Sequence, residues 1–480
     1  MATQLVPIPV KGNPHYIAEG ITDTDTTPNL YNGYINKLDT PVIMPGLTEF
    51  FDVATNASID GMFWWESQAS LIVVSNGSIF KKTTKDIGSG WADVTGTATD
   101  LELGNKCTFA DFDTKLVIAN GGKMKVLPDS GGAHDMASAN APTVVNFVTQ
   151  YDSYCIALQA VTGYFFWSAV GDCETWDGDF NSAQTHPDTT NAVRQGWNEL
   201  ILTGTKSFEV WRNDGSTPFV PNRGAYSETG VLAPHSLIMV NSIWMMLSDD
   251  RQLVFLQGRE PKSLSTTLNQ YIQTFTTIND ARSSMVQLDG RDYVMVRFPT
   301  EEKTILISLT PDRATGEYIW SELTGYVNPN WTTFTAQDSV VCSSWNYVVF
   351  GDDSNGKVYL MDLSNETYDG QDIVMHYRTQ WMDREYHGNK RSYGIRAFVK
   401  RLEADVANTI TVSFRYRDDG SDTWSSWQDT TIATLDRATE LVRVDGPMGM
   451  YHTRQWEFRL SGEARLALVR ADESIETSYI

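Results

Sequence analysis

Along the first three quarters of the chain, short apolar runs of four to six residues alternate with Gly, Asn or Asp turns in a recurring phrase. A turn leads into an apolar run, a second turn follows, and a second short strand closes the unit. The phrase reads ASLIVVSNGSIFKK, TKLVIANGGKMKVL, SYCIALQAVTGYFFW, NELILTGTKSFEVW, SIWMMLSDDRQLVFL, RDYVMVRFPTEEKTILI and NYVVFGDDSNGKVYLM. Its strand centres fall at Val73, Val117, Ile156, Ile201, Met245, Met295 and Val349, spaced 44, 39, 45, 44, 50 and 54 residues apart. Apolar runs this short, bounded by turn residues, read as strands rather than helices. A period of roughly 40–50 residues with several strands per unit predicts an all-β fold, a β-propeller. Seven units can be counted. The last two are longer, so six blades plus an insertion fit the same pattern.

The pattern changes at both ends. Residues 1–50 contain Pro7, Pro9, Pro14, Pro28, Pro41 and Pro45, which disfavour helices and central strands and predict an extended arm. Within it, NLYNGYINK followed by VIMPGLTEFFDV reads as a tight turn entering a strand that completes the last blade and closes the ring. Residues 51–370 carry the repeat. They are interrupted by KSLSTTLNQYIQTFTTINDARSSM, where Leu264, Leu268, Ile272 and Phe275 recur at helical spacing as a packing strut or a contact element. Residues 371–480 alternate apolar and polar over six to ten residues and predict a C-terminal β-sandwich.

Charge sharpens this division. Of the formal net charge of −23, residues 1–370 hold −21 and residues 371–480 hold −2. An acidic repeat region argues against a tight, sequence-independent DNA clamp, which needs clustered Lys and Arg. It is compatible with a passage whose like-charged walls keep a polyanion from sticking. The expected wall of such a channel is acidic. No apolar stretch approaches the roughly 20 residues needed to span a bilayer. MATQLVPIPVKGNPHY lacks the basic start and apolar core of a secretory leader. Cys107, Cys155, Cys173 and Cys342 match no CxxC pattern and read as buried reduced thiols.

Candidate chemistry is sparse. The seven histidines show no HxH or HExxH spacing, and there is no GxSxG elbow, Walker A loop or GxGxxG after a strand. The densest acidic cluster is GDCETWDGDF, with Asp172, Glu174, Asp177 and Asp179. Four carboxylates on one loop could hold Ca²⁺ or act as a glycosidase pair, but no glutamate closes a twelve-residue calcium loop. The favoured reading is a solvated turn anchored on the core by Trp176 and Phe180. RDDGSDTW resembles the Asp-box turn of sialidases loosely and once only. The many tryptophans in or beside strands, Trp64, Trp65, Trp167, Trp197, Trp211, Trp244, Trp320, Trp345 and Trp381, read mainly as core and inter-blade packing. No catalytic, cofactor-binding or metal-ligating residue emerges, so an enzyme is not expected. One local excess of positive charge stands out: Arg378, Arg384, Lys390, Arg391, Arg396, Lys400 and Arg401, against Asp383 and Glu385. It reads either as a contact with a partner ring, subunit or phosphate, or as the solvent face of an edge strand.

Several phrases in order resemble a known family. They are NLYNGYINK…VIMPGLTEFFDV, then FFWSAVGDCETWDGDFNSAQTHPDTTNAVRQGWNELILTGTKSFEVWRNDG, then LSTTLNQYIQTF and DGRDYVMVRFPTEEKTILISLTPDRATGEYIWSEL. Together they are similar to the packaged-DNA stabilisation, or tail hub (nozzle), proteins of short-tailed bacteriophages, over most of residues 28–363. The resemblance implies a structural virion protein of the tail, assembled in the host cytoplasm. It implies a homohexameric ring below the portal and head-to-tail adaptor, carrying tail fibres or tailspikes. The ring would retain viral DNA and pass it through its lumen without sequence specificity. It implies no enzymatic activity, no cofactor and no catalytic residues to carry over. The alternative is a carbohydrate-binding or sialidase-like propeller. A cellular WD40-type scaffold is disfavoured by the lack of GH…WD dipeptides.

Overall fold

The computed structural model describes residues 4–477 except 12–13, 16–27, 161, 184–187, 216–217, 258–259, 314–315, 328–329, 384–387, 403–408, 433–438 and 463. Among these residues six four-stranded antiparallel units follow one another, at 59–93, 108–135, 145–181, 190–227, 238–263 and 282–323. A seventh unit is composite. Its strands Ala336–Cys342, Tyr347–Asp352 and Lys357–Asp362 are completed by Gly46–Asp52 from the N-terminal region. The register runs from Lys357 opposite Asp52 to Asp362 opposite Gly46, so the closing strand spans the whole outer edge. A β-carbon at position 46 would lie 2.5 Å from the Asn365 carbonyl oxygen, which is why glycine opens this strand.

All seven apolar centres fall on the second strand of their units, and all are essentially inaccessible to solvent. That strand has a neighbouring unit on each face, so it is apolar on both sides rather than alternating. Hydrogen bonds tie each unit to the next. Gln337 Nε2 donates to the Ile59 carbonyl at 2.9 Å, and Cys107 N to the Asp60 carbonyl at 2.8 Å. Thr108 Oγ1 donates to Asn146 O at 3.2 Å, and Tyr151 Oη to Asn198 O at 3.0 Å. Asn191 donates to Val231 O at 2.8 Å, Asn241 to Asp292 at 2.5 Å, and Ser339 to Ser284 at 2.8 Å. Together these bonds close a ring of seven blades.

The helical phrase forms Thr266–Gln273, capped by the Ser265 hydroxyl accepting from Leu268 N. Leu264, Leu268, Ile272 and Phe275 all enter one core with strands of the fifth and sixth blades. The helix is therefore a packing strut between blades.

The C-terminal region is a sandwich of two sheets over one core. In the first sheet Lys390–Arg401 lies between Thr439–Asp445 and Leu466–Thr477. The second contains Met375–Arg378, Arg454–Gly462, Ile410–Asp418 and Gln428–Ile432. Ile395, Ala397, Val399, Val412, Phe414, Phe458, Leu460 and Leu468 fill the space between them.

The N-terminal residues do not form a free arm. Gln4–Ile8 pairs along Leu466–Thr477, and Gly33–Ile35 and Pro41–Ile43 extend the same sheet. Leu30–Tyr31 bridges from Tyr318–Leu323 of the sixth blade to Met375–Arg378 of the sandwich. One nine-stranded sheet thus runs from propeller into sandwich. The boundary expected at residue 50 falls inside the closing strand, because that strand belongs to the seventh blade.

His15 fastens this junction. Its ring stacks on Trp320 of the sixth blade at 4.0 Å, and Nε2 lies 3.0 Å from the Trp320 carbonyl. Burial pushes its pKa down from 6.5 to about 3, against the opposing pull of that carbonyl. The folded state therefore keeps His15 neutral where the unfolded chain binds a proton, and stability falls as pH drops below 6.5. We expect His15→Phe to lessen the stability difference between pH 7 and pH 5, read from urea midpoints, by about 2 kcal/mol. An unchanged difference would mean that His15 titrates normally in the fold.

Candidate functional site

The acidic loop resolves into a structural turn. Asp172 accepts from Glu174 N at 3.0 Å and from Thr175 Oγ1 at 2.7 Å. Glu174 is bonded to Lys115 and lies 2.7 Å from His134 Nε2. Asp177 and Asp179 point to solvent. Trp176 is the anchor, buried and donating to the Cys173 carbonyl at 2.9 Å. Phe180 is not an anchor. It is 52% exposed and stacks on Tyr164 at the blade edge. Trp176→Ala is expected to cost about 3–5 kcal/mol, and Asp177→Asn to stay within about 0.5 kcal/mol, both measured by chemical unfolding. Among the described residues no three of His, Cys, Asp and Glu gather as a metal site. All four cysteines are buried and unbridged.

The Asp-box-like phrase also has a structural setting. Arg417 lies over Trp381 and Trp424, Arg415 over Trp424 and Trp427, and Arg459 over Trp427 and Tyr326, with cation-to-ring distances of 4.2–5.5 Å. Alternating guanidinium and indole groups form a ladder along the sandwich face. Beneath it Glu457 is fully buried between Arg378 Nη2 at 3.1 Å, His376 Nε2 at 2.8 Å and Arg415. Burial alone would raise the Glu457 pKa, but these cationic and hydrogen-bonding partners hold it well below the ordinary carboxylate range.

The basic segment divides accordingly. Arg378 is bound to Glu457, and Lys390 and Arg401 are buried. Arg384 lies outside the described residues. Arg391, Arg396 and Lys400 stand on the outer face of Lys390–Arg401, which is a central strand paired on both sides and not an edge. Arg391 faces Glu476 across the ladder, and Arg396 faces Asp472.

The most concentrated chemistry lies on the propeller axis, where nearly every blade contributes a polar or aromatic group from its inner strand or the turn before it. Lys106 Nζ of the second blade meets Asp338 Oδ1 of the seventh at 3.0 Å. Arg282 of the sixth blade donates to Gln337 Oε1 at 3.2 Å and to the Gly104 carbonyl at 3.0 Å. Gly104 N donates to Asp60 of the first blade at 3.3 Å. Opposite, Phe147 of the third blade stacks on His235, which leads into the fifth blade, at 4.7 Å, and Arg194 of the fourth lies over Phe147 at 5.0 Å. Irregular register after Ile59, Val145, Thr190 and Ala336 turns Asp60, Asn146, Asn191 and Gln337 out of the regular ladder. Burial and the charges of Lys106, Arg194 and Arg282 push the His235 pKa far down, so the imidazole is neutral.

These groups were missed in the sequence, although a signal exists: Lys106, Arg194 and Arg282 are 88 residues apart, two repeat periods each time. Side chains meet across the axis. Among the described residues these contacts leave no bore for a DNA duplex, whose major groove alone is about 12 Å wide.

Fold and axis define a closed β-propeller joined edgewise to a β-sandwich, with a filled centre. A family model described as "Bacteriophage P22 Gp10, beta-propeller" (Phage_stabilise) matches residues 33–366. The chain belongs to that family and is a phage structural protein. No curated protein matches it. Among solved structures it is similar to the extracellular domain of a putative one component system, BT4673, from B. thetaiotaomicron, at 10% identity and a TM-score of 0.43, over 72% of this chain and 42% of that one. It is similar to PorZ, a surface component of the type-IX secretion system of Porphyromonas gingivalis, at 10% identity and a TM-score of 0.39, over 72% of this chain and 44% of that one. The computationally designed Ika8 protein matches at 13% identity and a TM-score of 0.36, over 65% of this chain and 99% of that one.

Proposed function

We propose that this chain is the subunit of a tail hub or nozzle, a ring of six copies below the portal and adaptor of a short-tailed phage. The ring retains packaged DNA, forms the ejection channel, and anchors tail fibres or tailspikes. The subunit itself performs no catalysis. The family match over the propeller carries this reading. The filled axis refines it: DNA passes through the space enclosed by neighbouring copies, not through a propeller. The acidic balance of residues 1–370 suits such a wall, since like charge keeps the phosphates from adhering. Among the described residues no helix is long and apolar enough to cross a membrane. Assembly takes place in the host cytoplasm.

Mass measurement of the purified chain, alone and with its adaptor, tests this. A closed hexamer in either sample is the expected result, and a monomer under both conditions contradicts it. Among the described residues of the basic segment, Arg391, Arg396 and Lys400 are those that face outward, where a neighbour can reach them. Arg391→Glu with Arg396→Glu is expected to block ring or tail assembly at least 10-fold, because like charge at a contact costs several kcal/mol. The folded subunit should melt within a few degrees of the parent. Unimpaired assembly would remove this surface from the account.

The carbohydrate-binding alternative has one feature in its favour, a polar cleft of about 450 Å³ lined by Tyr326, Gln371, Asp372, Asp429 and Arg459. Binding on a glycan array that Asp372→Ala abolishes would support it. A silent array removes it.

A further inference from the structure

Lys106, Arg194 and Arg282 come from three alternate blades and face one axial space. All three are half-buried rather than sealed off, and a charge crowded in this way is costly unless it meets a partner or a solute. Lys106 is paired with Asp338. Arg282 donates only to neutral acceptors, Gln337 Oε1 and the Gly104 carbonyl. Arg194 rests on the Phe147 ring, and among the described residues no carboxylate, carbonyl or hydroxyl accepts a hydrogen bond from it. Burial pushes its pKa down to about 10, which still leaves it charged at neutral pH. The other nearby carboxylate is Asp60, which accepts from the Ser58 hydroxyl and Gly104 N, and burial raises its pKa. Two carboxylates therefore stand against three cations, and the cation without an acceptor is Arg194.

We propose that the propeller axis binds one small oxyanion of the phosphate class, held by Arg194 with Lys106 and Arg282 beside it. A guanidinium offers a planar fork of donors that matches a tetrahedral oxyanion, and an ammonium adds a point charge. Phe147 covers the face of the Arg194 guanidinium and leaves its edge to donate. His235, stacked on the same Phe147, is neutral and brings no further positive charge. Groups from several blades crowd round the site, which suits a small free ion better than the phosphodiester of a strand.

Calorimetric titration of the full-length protein with inorganic phosphate, at ionic strength fixed with chloride, tests this. The expected result is one site per chain, with a rise in melting temperature over the chloride control. Arg194→Met should bind about 10-fold more weakly or worse, the loss of a charge-assisted hydrogen bond. Lys85→Met, on an exposed loop of the first blade, should bind as the parent does. A tetranucleotide without terminal phosphate should give no heat. A parent protein that shows no phosphate-specific heat or melting shift overturns the proposal, and this arm decides even if Arg194→Met does not fold. Equal binding by a folded Arg194→Met, or tetranucleotide binding that displaces phosphate, overturns it too.

Discussion

Arg454→Ala is expected to destabilise the protein by about 3–5 kcal/mol, the cost of leaving buried partners of an ion pair uncompensated. Arg454 has no solvent exposure. It donates to both oxygens of Asp418 at 2.7 and 2.8 Å, to Glu473 at 3.1 Å and to the Met448 carbonyl at 2.6 Å. Tyr416 and Tyr451 cover its guanidinium at 4.0 and 4.1 Å. Glu473 is also fully buried and accepts from Tyr451 Oη at 2.8 Å. Without the guanidinium, Glu473 is left fully buried and Asp418 part-buried, each without the charged partner seen here. The network holds strands of both sheets together, so its loss acts on the sandwich as a whole. Adding Asp418→Asn and Glu473→Gln to Arg454→Met should recover part of the loss, because the stranded charges are then gone. Chemical unfolding of the single and triple variants checks this. A single variant within about 0.5 kcal/mol of the parent would place the network at the surface.

Removal of residues 1–52 is expected to abolish cooperative folding. The deletion takes the outer strand from the seventh blade and four strands from the sheets that join propeller to sandwich. Leu30, Tyr34, Ile35, Val42, Ile43, Leu47, Phe50 and Phe51 are all buried. At about 1.5–3 kcal/mol for each fully buried large apolar side chain, their loss is comparable with or larger than the roughly 5–15 kcal/mol by which a whole domain is stable. The milder Phe51→Ala should cost about 3–5 kcal/mol. Circular dichroism through a thermal melt separates the outcomes. A truncated chain that melts cooperatively at the parent midpoint would show that the ring does not need its closing strand.

The parts of the fold that could be read in the sequence share a physical cause. Second strands such as Ser70–Ser75 and Tyr347–Asp352 have a blade on each face, so their central residues, Leu71 to Val74 and Val348 to Phe350, are all apolar. Their turns carry residues that tolerate positive φ, such as Asn76–Gly77 after the first of these strands. Outer strands such as Phe180–Asn181 are two residues long and half exposed, and they leave no pattern. The closing strand announced itself through PGLTEFF. The route of residues 30–43 did not, because pairing one or three residues at a time needs no periodicity.

Arg378–Arg401 looked like one basic face in the linear sequence. A strand alternates sides, and the bulge between Ser392 and Gly394 shifts that alternation, so Lys390 and Arg401 turn inward while Arg391 and Lys400 turn outward. The axial cations were hidden for a different reason. Each is a single residue per blade, and only the closed ring brings Lys106, Arg194 and Arg282 together.

Cryo-electron microscopy of the virion tests the central claim most directly. The account predicts this chain in the tail as a closed ring, with DNA on the ring's own axis and every propeller axis off that line and filled by side chains. A virion that lacks the chain, or DNA density threading the centre of a propeller, would contradict it.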